Sequence, residues 1–173
     1  IVTTGGVSVG VHDYMPLVLE SMCGEILFHG IAMKPGMPTM LSVIEGVPVL
    51  SLSGNPSAAS VAFELFIPYV QEAMRRCCMM RNAGSENAIM GHEAVLHQTA
   101  QVMLATDFEK CSPVRRFLWG YSDGRQVWAA EHQRNGNIRS LVGQNCLIEV
   151  PAGSGALKAG QSVKILWLKN VSQ

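Results

Sequence analysis

The spacing of apolar and polar positions changes character about halfway along the chain. Up to about residue 80, strand-like runs alternate with helix-like ones. The opening "IVTT" is apolar and β-branched, as at the end of a strand. It runs into "GGVSVG", which only a loop accommodates. Residues 13–24 read as a helix: Leu17, Val18 and Met22 give an apolar side, and Glu20 and Ser21 a polar one. Asp13 is the expected N-cap, Pro16 sits in the first turn and Gly24 stands at the C′ position. "EILFHGIAM" (25–33) reads as one strand, stopped by "KPGMP". "TMLSVI", "EGV" and "PVLSLS" follow as strand, turn and strand. After "SGNP", apolar residues at 58, 59, 62, 63, 65, 66, 69 and 70 trace a helical stripe over 56–76. Pro56 is at its first position, with Asn55 or Ser53 as cap. Pro68 lies inside that stripe and predicts a kink or an irregular turn.

Over 81–88 the residues turn small and polar, which divides the chain into parts 1–80 and 86–173. The second part reads all-β. "EAVLHQTAQVML", "RRFLWGYS", "RQVWAA", "CLIEVP" and "SVKILWL" are strand-like. Asp123-Gly124 predicts a tight hairpin in which both residues take positive φ. Trp119 and Trp128 are expected to pack across that turn. Short, closely spaced strands suggest a small barrel or sandwich.

Composition narrows the function classes. The 173 residues are 48% hydrophobic, enough for a packed core. Formal net charge is zero, which argues against a nucleic-acid partner. No apolar run is long and uninterrupted enough to span a membrane, and no signal-peptide pattern opens the chain. Five cysteines occur in no zinc-like spacing and suit reduced thiols in the cytoplasm.

Three loops carry candidate chemistry. The first, with Gly5, Gly6, Ser8 and Gly10, can lay backbone N–H groups against a phosphate, helped by the start of the helix behind it. Asp13 is either that helix's cap or an oxygen ligand for a divalent cation. In the second loop, Lys34 is an isolated cation fixed among prolines, suited to an oxyanion. In the third, Ser53, Gly54, Asn55 and Pro56 form another anion-competent helix start. If the strands before these loops are parallel, all three loops lie at one carboxyl edge, where open α/β sheets bind ligands. His12, His29, His92, His97 and His132 read as scattered single histidines, and Arg115-Arg116 as a solvated strand face in preference to a basic spot on the second part. No Ser/His/Asp nucleophilic arrangement is visible.

Taken together, "TTGGVSVGVHDY", "AMKPGMP", "SGNPSAA" and the tail "NCLIEVPAGSGALKAGQSVKILWL" resemble the molybdopterin molybdenumtransferase family, which includes MoeA and the gephyrin E domain. The resemblance covers essentially the whole chain. It implies part of a MogA-like three-layer α/β molybdopterin-binding domain, cut at its N-terminus, followed by a small all-β barrel-like domain. It implies insertion of molybdate into adenylylated molybdopterin with release of AMP, assisted by Mg²⁺. By motif, Gly5, Gly6, Ser8 and Gly10 would cradle phosphate, Asp13 would face the metal, Lys34 would neutralise an anion, and Ser53, Gly54, Asn55 and Pro56 would shape the pocket wall. Ser53 replaces the proline of the family's "PGNP", and neither Gly30 nor Met37 is basic, so anion binding would lean more on Lys34 or on residues outside this chain. The resemblance further implies a cytoplasmic homodimer for the full-length protein, with molybdopterin adenylyltransferase as pathway partner. The fragment alone is expected to have little activity. Alternatives are an adenylyltransferase-like enzyme, which shares "TTGG" but lacks the barrel, and a gephyrin-like peptide-binding scaffold.

Overall fold

The computed structural model describes residues 1–8, 10–11, 13–83, 97–130 and 141–168. The first part is built on a mixed four-stranded sheet in the order β1-β5-β4-β2. Its strands are β1 (Val2–Thr4), β2 (Glu25–His29), β4 (Met40–Ile44) and β5 (Val47–Leu52). β1 runs parallel to β5, whereas β4 is antiparallel to both β5 and β2. Alternation along β5 divides the apolar residues between two faces. Val49 packs with Val7, Met40 and Leu19 of helix α1 (Met15–Ser21), and Leu50 and Leu52 pack with Val61, Ala62 and Leu65 of helix α2 (Pro56–Ala83). Helix, sheet and helix make three layers.

Local chemistry sets the ends of these elements. Asn55 Oδ1 accepts from the N–H groups of Ser57 and Ala58, so Asn55 caps α2 with Pro56 at its first position. The α2 helix continues through Pro68 to Ala83, seven residues beyond the expected end. Helix α1 is only seven residues long and its N-cap is Tyr14, without a side-chain cap. Asp13 is therefore not the cap. At the other end the left-handed residue is Cys23, with φ of 54°. The Gly24 N–H bonds to the Leu19 carbonyl and the Cys23 N–H to that of Glu20, which places Gly24 one position later than expected. Gly24 is required for space: a Cβ there would lie 2.9 Å from the Leu19 carbonyl oxygen.

The expected strand over 25–33 is two strands. Gly30, with φ of 89°, breaks the run, and β3 (Met33–Lys34) leaves for the second sheet, where it pairs parallel with β7 (Arg115–Ser122). That sheet also contains β6 (Thr99–Leu104), β8 (Gln126–Ala129), β9 (Cys146–Val150) and β10 (Ser162–Trp167). The β7–β9 pairing closes the ring β7-β8-β6-β10-β9 into a five-stranded barrel. Its interior is apolar, with Val127, Cys146, Ile148, Val150 and Ile165 fully buried. Burial pushes the Cys146 thiol up to about 12, so it acts as a small apolar side chain.

At the β7–β8 turn only Gly124 takes positive φ, and Asp123 holds the turn by accepting from the Arg125 and Gln126 N–H groups. The two tryptophans do not pair. Trp128 lies opposite Tyr121, while Trp119 is buried in a core shared by α2, β5 and the outer face of the barrel. The strand-like residues 93–96, as well as His12, His92 and His132, lie outside the described residues.

Candidate functional site

Because β1 and β5 are parallel neighbours, the loops after Thr4 and Leu52 emerge side by side. The Gly5 N–H donates to the Leu52 carbonyl at 2.9 Å, which carries the ladder into the loop. Gly5 and Gly6 both take positive φ. Gly54 is pressed against Gly5: a Cβ on Gly54 would meet the Gly5 Cα at 3.3 Å. The loop that carries Lys34 departs from expectation. Lys34 is the last residue of β3, which belongs to the barrel's sheet, so it does not share the carboxyl edge of β1 and β5.

The far end of the first loop is closed by Asp13. Its Oδ2 accepts from the Gly10 N–H at 2.7 Å, and its own N–H donates to the Gly10 carbonyl at 3.0 Å. Its Oδ1 has no hydrogen-bond partner among the described residues. Ser8 is half-buried in the same loop. The short α1 begins five residues beyond Gly10, with the Met15 N–H bonded to the Gly6 carbonyl, so the loop rather than the helix dipole presents the donors.

Lys34 opens onto a cleft of about 750 Å³ between the two parts. One wall comes from 34–38 together with Ser53, Asn55 and Ser57; the other comes from Phe108, Lys110 and the β7 residues Arg116 to Trp119. Parallel pairing sets Lys34 beside Arg116. The Arg116 Nε–H donates to Ser112 Oγ at 3.4 Å, which steadies the guanidinium. Arg115, its neighbour, turns the other way and pairs with Glu149. Lys34, Lys110 and Arg116 thus face one cleft, and no carboxylate is among its described lining residues. A chain of zero net charge concentrates cations here, where low-dielectric walls strengthen their pull on an anion.

Of the residues selected from sequence, Lys34, Ser53 and Asn55 line this cleft, and Gly54 joins it to the glycine loop through Gly5. Pro56 serves as the first residue of α2 and does not line it. Gly5, Gly6, Ser8, Gly10 and Asp13 form the adjacent loop. The start of α2 is already capped by Asn55, so two of its N–H groups are engaged. Lys110 escaped sequence reading, and Arg116 was read only as part of a strand face, since its place beside Lys34 depends on pairing between residues about eighty positions apart.

For the expected Mg²⁺ the glycine loop offers one carboxylate, that of Asp13. Its Oδ1 has no partner among the described residues, and Mg²⁺ is commonly held by one or two carboxylates with waters and substrate phosphates completing the shell. Among the described residues no three His, Cys, Asp or Glu side chains converge as a metal cage. No helix among them is long and apolar enough to cross a membrane.

Comparison with known proteins agrees with this anatomy. Residues 1–72 match the family described as a probable molybdopterin binding domain, and residues 101–168 match the MoeA C-terminal region (domain IV). The chain is 34% identical over 170 residues to the molybdopterin molybdenumtransferase of Staphylococcus aureus and 32% identical to that of Staphylococcus epidermidis. In both cases 96% of the chain is covered, and it spans 37% of the relative's length. Among solved structures, the molybdopterin biosynthesis MoeA protein of Pyrococcus horikoshii superposes with a TM-score of 0.70 at 25% identity, covering 98% of this chain and 37% of that one.

Proposed function

Over the length it spans the chain belongs to the MoeA family, the molybdopterin molybdenumtransferases, and from that premise we propose that it takes part in molybdenum cofactor biosynthesis. The parent protein inserts molybdate into adenylylated molybdopterin and releases AMP. The observation that carries this reading is the juxtaposition of two anion-competent features: the glycine loop, and the cleft lined by Lys34, Lys110 and Arg116. One suits a phosphate held by backbone N–H groups, the other an oxyanion held by side-chain cations.

In this proposal the glycine loop holds substrate phosphate: Gly6 and Ser8 offer the N–H donors, while Gly5 and Gly10, whose N–H groups are bonded to Leu52 and Asp13, shape the loop. Lys34, with Arg116 and Lys110 opposite, neutralises the molybdate or the anionic end of the substrate. Ser53, Gly54, Asn55 and Pro56 keep the two features in register. Asp13, whose Oδ1 has no partner among the described residues, would hold Mg²⁺, and the ion would supply charge neutralisation for the departing phosphate. Parts 1–80 and 86–173 act as the two domains forming opposite walls. The full-length parent works as a cytoplasmic homodimer, supplied by a molybdopterin adenylyltransferase.

AMP release from adenylylated molybdopterin by the full-length parent tests this. Release should require molybdate, and Asp13→Ala should lower turnover at least about tenfold with the fold intact, the scale expected when a transition-state charge contact is lost. Formation of adenylylated product from molybdopterin and ATP would instead make the protein an adenylyltransferase.

A further inference from the structure

The antiparallel pairing of β2 with β4 contains a β-bulge. Glu25 and Ile26 lie opposite Val43 and Ser42, but Phe28 and His29 lie opposite Leu41 and Met40, which leaves Leu27 as the extra residue. In an unbroken strand Ile26 and Phe28 would share a face. Here they are split. Ile26 packs on the α1 side with Met40 and Val49, whereas Phe28 stacks against Phe66 of α2 at 6.1 Å. The bulge therefore returns His29 to the α1 side, the face from which the glycine loop leaves the sheet. Re-aiming a side chain is a recurrent use of bulges near functional sites.

There His29 makes one specific contact. Its Nε2–H donates to the Val7 carbonyl at 2.7 Å, across 22 residues of sequence. Val7 is the middle of the loop, and it is 1% exposed, locked among Leu19, Met40 and Val49. Other loop groups have local or strand partners: Gly5 with Leu52, Gly6 with Met15, Gly10 with Asp13. Among the described loop residues, the Val7 carbonyl is the group that relies on a side chain from a distant strand. That bond fixes the peptide between the paired glycines and Ser8.

We infer that His29 is a positioning residue for the glycine loop, set in place by the β2 bulge, and that it holds Gly6, Val7 and Ser8 in the conformation in which the Gly6 and Ser8 N–H groups meet a phosphate. The link to phosphate rests on the functional reading above; the positioning itself does not.

The experiment is native-state amide hydrogen exchange on the 173-residue chain, comparing wild type, His29→Ala and His29→Gln, whose Nε2 can replace the imidazole donor. The amides of Gly10, Asp13 and Met15, all hydrogen-bonded in or beside the loop, should exchange at least tenfold faster in His29→Ala. Those of Ile148 and Ile165 in the barrel should be unchanged, and His29→Gln should restore most of the loop protection. Equal rates in wild type and His29→Ala, an equal rise in loop and barrel, or a His29→Gln no better than His29→Ala would overturn the assignment. A parallel titration of the wild-type chain with pyrophosphate and Mg²⁺, read at Gly6 and Ser8, decides the phosphate reading separately. Its failure would remove that role and leave the positioning role of His29 to stand or fall on the exchange rates.

Discussion

Ile148, Val150 and Ile165 have zero exposure inside the barrel, whereas Leu27, on the outer strand of the first sheet, is 51% exposed. The barrel closes on itself, so every strand has partners on both sides. The first sheet ends in two open strands, β1 and β2, and the apolar face beneath α2 retains a groove of about 460 Å³ lined by residues such as Phe28, Leu41 and Val43. The closed region supplies a rigid wall, with Arg116 and Phe117 at fixed positions. The open region supplies loops whose backbone faces outward. The cleft lies where the two meet, and its formation depends on β3 leaving one sheet to join the other.

The largest loss is expected inside the closed region. Ile148→Ala leaves a cavity that the ring cannot collapse to fill, and should lower unfolding stability by about 2–5 kcal/mol in a denaturant titration. A much smaller loss would mean that the barrel interior is loosely packed and no more rigid than the open sheet. Next in size is Arg116→Ala, which should reduce AMP release by the full-length parent roughly ten- to hundredfold, as expected for losing a charged hydrogen bond of about 1.5–3 kcal/mol. Arg115→Ala, directed toward Glu149, should leave release nearly unchanged; equal effects would place the site away from this face. Asn55→Ala removes the cap that joins the "SGNP" loop to α2, and should cost about 1 kcal/mol by thermal unfolding.

The smallest effect concerns the cluster of Glu72, Arg75 and Arg76 in the second half of α2. Hydrogen bonds from Arg75, then Arg76, lower the Glu72 carboxyl from 4.5 to about 2. A folded value below the unfolded one gives stabilisation that is complete above about pH 4.5 and lost as pH falls toward 2. The stability difference between wild type and Glu72→Gln, small at neutral pH because the cluster is solvated, should vanish once the pH reaches the folded value of about 2. A difference that persists there would assign the effect to packing rather than charge.

Much of this was legible in the sequence because it rests on local chemistry. Strands β7, β9 and β10 follow their alternating or apolar runs, and Pro56 with Asn55 marks the start of α2 through ordinary capping. The helix end at Ala83 is not legible because the small polar residues from Arg81 onward read as a linker. The split at Gly30 was missed because apolar residues continue on both sides of it; only a positive φ and a new partner strand reveal the break. Asp13 looked like a cap since it precedes a helix, yet its carboxylate turns back to Gly10. The site was half visible. Lys34 and the two glycine-containing loops announce themselves by composition, but Lys110, Arg116 and His29 reach the site through distant pairing and a bulge, which periodicity does not encode.

If the two regions form one site, Lys34 and Arg116 hold a single anion between them. Crystals of the chain soaked in tungstate, a heavy analogue of molybdate, test this by anomalous scattering. The expected result is a peak in the cleft within hydrogen-bonding distance of both the Lys34 Nζ and the Arg116 guanidinium, and its loss in Arg116→Ala. A peak elsewhere with this cleft empty, or one indifferent to Arg116→Ala, would contradict the shared anion site.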